Sequence, residues 1–308
     1  MPPLLKPGAR IAVIAPAGRF AKERLEKGAA VLHSWGYELV WGPNISCVER
    51  YNAGSIDERA ADVAWACTDP QVDAVWLARG GFGCAHVLPL LPWDHLVARP
   101  LLGFSDATAL HVALWLAGWT TFAGGALVHG PVVQTLAPAP VDGSAAPVLV
   151  DQVTRIALRD LLEGQPVALP ARMLCGPAGA VVEGPVVGGN LTVLASLCGT
   201  RWQLRARGCI VVLEDVGEAP YRLDRALTQL IQSGALNGAV GIVLGQLLDS
   251  AGRDPEGAEY GPLDVLRERL VDLRIPVVCD APVGHGPRNL PWLFGRRGRL
   301  DARGVTWP

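Results

Sequence analysis

Residues 99–118 read RPLLGFSDATALHVALWLAG. A short apolar run ending at Phe104 gives way to Ser105-Asp106. Apolar residues then recur at Leu110, Leu114 and Ala117. The pattern spells a buried strand, a tight turn and a helix. Ser105 stands at the junction and can play two roles there. A serine oxygen accepts a hydrogen bond from a free N–H of the first helical turn, which makes serine a preferred cap. A hydroxyl at a strand end can also be aimed at a substrate. Partners elsewhere in the chain must decide between these roles.

The same grammar extends in both directions. RIAVIAPAG (10–18) is a buried strand ending in small residues, and AKERLEKGAAVLHSWG (21–36) is a helix with Leu25, Ala29 and Leu32 on one face. YELVWGP (37–43) is a second strand. SIDERAADVAWACTDP (55–70) is a helix capped by Ser55, with Ile56, Ala60, Val63 and Cys67 expected inward. VDAVWLARGG (72–81) is a third strand and LLGF (101–104) a fourth. Strands alternating with helices argue for a parallel sheet covered on both faces. Composition changes at LAPAPVDGSAAPVLV (136–150), a Pro- and Ala-rich stretch read as a linker. Short strands and turns follow, then the helix YRLDRALTQLIQSG (221–234), the strands CIVVLED (209–215), GAVGIVLGQL (238–247) and IPVVCD (275–280), and a closing hairpin region. The organisation expected is an N-terminal domain over 1–164, linker included, and a smaller domain over 165–308.

Composition excludes several classes. Half of the 308 residues are hydrophobic and 18% are charged, enough for a sizeable core. A net charge of −2 without a basic tract argues against a nucleic-acid partner. No apolar run has the length of a membrane span, and the opening residues lack a signal-peptide pattern, so a cytoplasmic protein is expected. Seven scattered cysteines without a C-x-x-C pair suit a reducing compartment, and the six histidines lack zinc-site spacing, so no metal is expected.

In parallel sheets, ligands gather at the carboxyl ends of strands. Four strand ends carry chemistry here: RGGFG (79–83), Ser105-Asp106, Glu214-Asp215 and the loop APVGHGPRN (281–289) with His285. A glycine-rich turn, a serine, a carboxylate and a histidine are the parts needed for acyl transfer. Each has a plainer reading: a tight glycine turn, a solvated loop carboxylate, a surface histidine. Asp215, Glu218 and Asp224 compete with Glu214 as the acid. GFGCAH (81–86) fails as a dinucleotide fingerprint at His86, and GFSDA has Ala107 where a G-x-S-x-G elbow needs glycine.

With these residues assembled, the chain resembles the serine L,D-carboxypeptidases, the muramoyltetrapeptide carboxypeptidase (LD-carboxypeptidase, S66) family. The resemblance rests on GARIAVIAPAG (8–18), ARGGFG (78–83), GFSDAT (103–108), VVGGNLTVL (186–194), LEDVGEAPYRLDRALTQL (213–230) and PVGHGPRNLPWLFG (282–295). It implies an α/β fold: a parallel-sheet, Rossmann- or flavodoxin-like N-terminal domain plus a smaller β-rich α/β C-terminal domain, in a homodimer. It also implies Ser105 as nucleophile, Glu214 and His285 as acid and base, and the backbone amides of Gly81 and Asp106 as oxyanion donors. The side chain of Asp106 is expected to cap the following helix. Asn190, Arg222 and Arg288 are candidate substrate contacts, an arginine being suited to the product carboxylate. The implied reaction removes the terminal D-alanine of murein tetrapeptides without cofactor. Rivals are a microcin C self-immunity-type peptidase cleaving a peptidyl-nucleotide and a non-catalytic ligand-binding module on the same fold, with an NAD-dependent oxidoreductase more distant.

Overall fold

The computed structural model describes residues 2–138, 149–250, 252–253 and 259–307. The chain divides into two compact units, Met1–Pro166 and Val167–Pro308. Most of the stretch read as a linker, 139–148, lies outside the described residues.

The first unit is built on five parallel strands: β1 (Arg10–Ile14), β2 (Glu38–Trp41), β3 (Ala74–Leu77), β4 (Pro100–Gly103) and β5 (Ala126–His129). Their order, 2-1-3-4-5, is the flavodoxin-like form of the doubly wound sheet. The order reverses between β1 and β3, so the loops after these strands flank the crevice where such folds hold ligands. β5, four residues like β2, β3 and β4, follows Gly124-Gly125 and ends in a histidine, and sequence periodicity gave no sign of it.

Helices α1 (Lys22–Ser34), α2 (Ile56–Thr68), α3 (Cys84–Val87), α4 (Ala107–Leu116) and α5 (Gln152–Leu162) cover this sheet. Ser55 caps α2 in a reciprocal box with Glu58. The inward face of α2 differs from the expectation in one respect. Ile56, in the first turn, is 42% exposed, whereas Arg59 and Asp62 are buried. Both find polar partners on that side. Asp62 accepts from the Asn44 backbone and amide at 3.0 and 2.9 Å, and Arg59 reaches loop carbonyls. The face of α4 is broader than its spacing suggested, since every residue from Ala107 to Leu114 is buried. His111 lies within it, its ring 6.1 Å from that of His129. Burial pushes the His111 imidazole down to about 3, so it is neutral packing material.

The second unit is a mixed eight-stranded sheet. Its strands are β6 (Ala168–Pro170), β7 (Arg172–Cys175), β8 (Val182–Asn190), β9 (Ile210–Val216), β10 (Gly241–Leu248), β13 (Val277–Cys279), β15 (Arg297–Asp301) and β16 (Gly304–Thr306), in the order 6-16-15-8-9-10-13-7. The pair β11 (Gly252–Arg253) and β12 (Glu259–Tyr260) stands apart, and β14 (Trp292–Phe294) precedes the final hairpin. The centre of the sheet, β8-β9-β10-β13, is parallel, and its margins are antiparallel. Helices α6 (Leu191–Ser196), α7 (Pro220–Gln232) and α8 (Pro262–Leu270) pack on it. α7 is strongly amphipathic, burying Leu223, Ala226, Leu227 and Leu230. The parallel centre aligns the carboxyl ends of four strands, and the polar residues of this unit collect there.

Candidate active site

In the first unit the site residues follow β3 and β4. Ser105 has φ of 62°, the left-handed region that side chains other than glycine avoid. Such a residue costs roughly 1–3 kcal/mol and persists only where its surroundings hold it. A cap, by contrast, has extended dihedrals. Asp106 occupies the capping position of α4 and makes no capping bond through its side chain. The expectation that its carboxylate caps α4 is therefore corrected. Backbone carbonyls already serve the turn, because Ala107 N–H donates to Phe104 O at 3.3 Å and Thr108 N–H to Ser105 O at 3.0 Å. The Asp106 Oδ2 instead accepts from the Cys84 N–H at 2.7 Å, at the start of α3. Burial raises the Asp106 carboxyl, with the Cys84 bonds and the charge of Arg59 acting against it.

The glycine loop lies directly against the serine. A Cβ on Gly80 would fall 2.9 Å from Ser105 Cβ and 3.0 Å from Ser105 Oγ, so only glycine fits. Gly81, whose backbone amide is an expected oxyanion donor, has φ of 111° and is exposed at the loop tip. Cys84, nearby and fully buried, has its thiol pushed well up by burial and by Asp106, which keeps it protonated and unreactive.

In the second unit, Glu214 near the end of β9 is fully buried, and its Oε2 lies 2.8 Å from His285 Nδ1. The His285 side chain keeps 19% of its surface exposed. Burial works against the charged imidazole. The charge of Glu214, the hydrogen bond to it and the charge of Asp215 outweigh that, so the pKa of His285 is raised. The competing acids are committed elsewhere. Asp215 accepts from Asn190 Nδ2, Val216 N–H, and both the N–H and hydroxyl of Thr192, at 2.7–3.1 Å. Asp224 pairs with Arg269 and Glu218 with Arg222.

Residues that sequence reasoning passed over hold the histidine loop. Gln246 Oε1 accepts from Gly286 N–H at 2.6 Å while its Nε2 donates to Arg288 O at 2.9 Å. Asn289 Oδ1 accepts from Gly284 N–H at 3.1 Å. Gly284, at φ of 131°, allows the close approach, since a Cβ there would meet Glu214 Oε2 and Gln246 Cβ at 3.1 Å. The signal available was a polar residue interrupting the apolar run GIVLGQL (241–247), again at a strand end. Asn190 is buried, caps α6 through Val193 N–H at 3.0 Å and braces Asp215. Arg288 is exposed three residues beyond His285, whereas exposed Arg222 lies 3.4 Å from Glu218.

Comparison with known proteins supplies the context for these two sets of residues. Residues 11–124 match the model of the LD-carboxypeptidase N-terminal domain, and residues 183–300 that of the LD-carboxypeptidase C-terminal domain. The chain is 35% identical over 303 residues to the murein tetrapeptide carboxypeptidase of Pseudomonas aeruginosa, covering 97% of this chain and 95% of that one. The crystal structure of muramoyltetrapeptide carboxypeptidase from Oxalobacter formigenes superposes with a TM-score of 0.79 at 28% identity, covering 97% of each chain. The microcin C7 self-immunity protein MccF of Escherichia coli is also similar, 28% identical over 93% of this chain and 88% of its own length.

Proposed function

We propose, for a chain that belongs to the LD-carboxypeptidase family and is a serine carboxypeptidase, that its substrate is a murein tetrapeptide and that Ser105, His285 and Glu214 perform the hydrolysis. The bond cut is the amide between the L-centre of the third stem residue and the terminal D-alanine. The observation that carries the catalytic assignment is the strained left-handed backbone of Ser105, set between a parallel strand and a helix buried from Ala107 to Leu114. Nothing in capping or packing asks for that strain.

In this mechanism His285 Nδ1–H donates to Glu214, which leaves Nε2 unprotonated and able to act as base. Nε2 takes the Ser105 hydroxyl proton as Oγ bonds to the scissile carbonyl carbon. The tetrahedral oxyanion is received by the amides of Gly81 and Asp106, and a single such donor is worth about 2.7–4 kcal/mol. Collapse breaks the C–N bond, and D-alanine leaves with the proton held by His285. Water, deprotonated by the same imidazole, then cleaves the serine ester and frees the tripeptide. Glu214 keeps the ring in the productive tautomer and balances its transient charge. Arg288, exposed on the histidine loop three residues beyond His285, is the cation we assign to the substrate carboxylate. Asn190 acts through Asp215 and the start of α6. The protein works in the cytoplasm, as a homodimer.

Product analysis on murein tetrapeptide, murein pentapeptide and a peptidyl-adenylate mimic tests this reading. D-Alanine release from the tetrapeptide alone, abolished in Ser105→Ala, is the expected result. Cleavage of the adenylate mimic in preference would place the chain with the MccF-like relatives. Full activity of Ser105→Ala would remove the nucleophile assignment.

A further inference from the structure

The loop Gly80–Gly83 is gripped by its carbonyls. Gly80 O accepts from Gly18 N–H at 3.1 Å, in the loop after β1. Phe82 O accepts from the side-chain amide of Asn52, which also donates to Ala17 O at 3.2 Å. Gly83 O accepts from Arg59 Nη1 at 2.9 Å, and the same nitrogen donates to Pro16 O at 2.7 Å. Arg59 Nε donates to Gly54 O at 3.2 Å. Arg59 is 2% exposed and Asn52 8%.

In a planar trans peptide the C=O and the N–H point in opposite directions, so fixing one aims the other. Holding Gly80 O on Gly18 therefore turns the Gly81 N–H to the opposite side of its peptide. The peptide joining Gly83 to Cys84 is held at both ends: Arg59 takes its oxygen, and the Asp106 carboxylate takes its N–H. Asp106 directly follows Ser105, so this one peptide ties the glycine loop to the serine turn.

Packing alone does not call for this arrangement. Among the described residues, the hydrogen-bond acceptors of Arg59 are all main-chain carbonyls, and burying a guanidinium without a bonded carboxylate costs several kcal/mol. Apolar side chains would hold a loop against a helix without that cost. A planar fork of donors can meet carbonyls from three different loops at once, which apolar packing and a single ammonium cannot do.

We infer that Arg59, Asn52 and the Asp106 side chain form a clamp on the Phe82–Cys84 end of the glycine loop, which keeps the Gly80–Gly81 peptide where Gly18 turns it and makes them positioning residues for the acyl-transfer step. This rests on the assignment of Ser105 as nucleophile. The clamp acts on the loop that stabilises the transition state and leaves substrate affinity to other residues. Its loss is therefore read in kcat rather than KM.

The test uses the full chain with Ser105→Ala, Arg59→Lys and Asn52→Ala, each checked for folding by circular dichroism. Two rates are read: D-alanine release, and labelling by a fluorophosphonate, in which Ser105 Oγ bonds to phosphorus, fluoride leaves and the hydroxyl proton passes to the base. Arg59→Lys and Asn52→Ala should each lower kcat and the labelling rate by about 10- to 100-fold, with KM within about threefold. Labelling of Ser105→Ala at the wild-type rate would overturn the nucleophile assignment itself. If Ser105→Ala stays unlabelled while folded Arg59→Lys and Asn52→Ala label at the wild-type rate, the clamp proposal alone falls. It falls too if both substitutions cost the fold before they cost the rate, since the network would then be structural. If only Arg59→Lys fails to fold, Asn52→Ala decides by the same criterion.

Discussion

His285 Nδ1 stands 2.8 Å from Glu214 Oε2, a carboxylate with no exposed surface on an imidazole that keeps a fifth of its own. The pair occupies the carboxyl ends of a parallel quartet of strands, and its electrostatics set a direction for the pH dependence.

With its pKa raised above the ordinary 6.5, His285 is protonated on the acid side of neutrality and, in the proposed mechanism, is then unable to act as the base. The rate kcat/KM should fall as pH drops, with a midpoint above 6.5. Glu214→Gln removes the charge that raises the pKa and leaves the burial that lowers it. The midpoint should then move to lower pH while kcat falls by about 10³- to 10⁴-fold. A pH–rate profile of both proteins reads this. The same shift has a sign for stability. The pair's contribution is fully present below the unfolded pKa and is lost as pH rises through the raised folded value. Urea titrations of the wild type, relative to Glu214→Gln, should narrow across that window.

Ser105 makes a second prediction, in which activity and stability part company. Ser105→Gly and Ser105→Ala both remove the hydroxyl and abolish turnover. At φ of 62° glycine is at ease and alanine is not, so the glycine variant should be the more stable of the two by about 1 kcal/mol. Chemical denaturation of the pair measures it, and equal stabilities would argue against a left-handed serine.

Gly80→Ala tests how closely the loop sits on Ser105. The new methyl would meet Ser105 Cβ at 2.9 Å and Oγ at 3.0 Å, so the serine must shift by a few tenths of an ångström. A loss in kcat of about tenfold or more is expected, with KM little changed, because small displacements of a reacting group are costly. Steady-state kinetics decide it.

Asp215→Ala separates the neighbouring acids. Asp215 accepts four hydrogen bonds at 2.7–3.1 Å, so its loss strands the start of α6 and should cost about 3 kcal/mol of stability. At temperatures where the variant is folded, its rate should stay within about tenfold of wild type, far above that of Glu214→Gln. The reverse ranking of activities would exchange the roles given to the two carboxylates.

Much of this architecture could be read from periodicity, since β1 to β4 are short apolar runs alternating with amphipathic helices. The strand-end rule also drew attention to Ser105, Glu214 and His285, because polar residues that follow apolar runs stand out. The supporting residues did not. Arg59 lies outside the inward set expected for α2, and the loop carbonyls brought beneath the helix by folding make its burial tolerable. Gln246 interrupts an apolar run, but its role could not be read there because strand alternation assumes an unbroken ladder. The register of β10 against β9 shifts between Leu244 and Leu247, and the glutamine lies inside that irregularity. Most of the main-chain groups the two residues bind lie far away in sequence, and those contacts leave no local trace.

The all-round burial of α4 also determines where this protein can give way. Amides in a buried stretch such as Ala107–Leu114 exchange with deuterium only when the surrounding unit opens, so those after Thr108 and up to Leu114 should be among the slowest in the chain. The serine turn leads directly into that buried stretch. Adjustment to an arriving peptide therefore falls to the rim, where Phe82 is 50% and Tyr51 58% exposed, their rings 6.2 Å apart. In an exchange experiment with and without ligand, the protection gained on binding should appear at that rim and leave the serine helix unchanged.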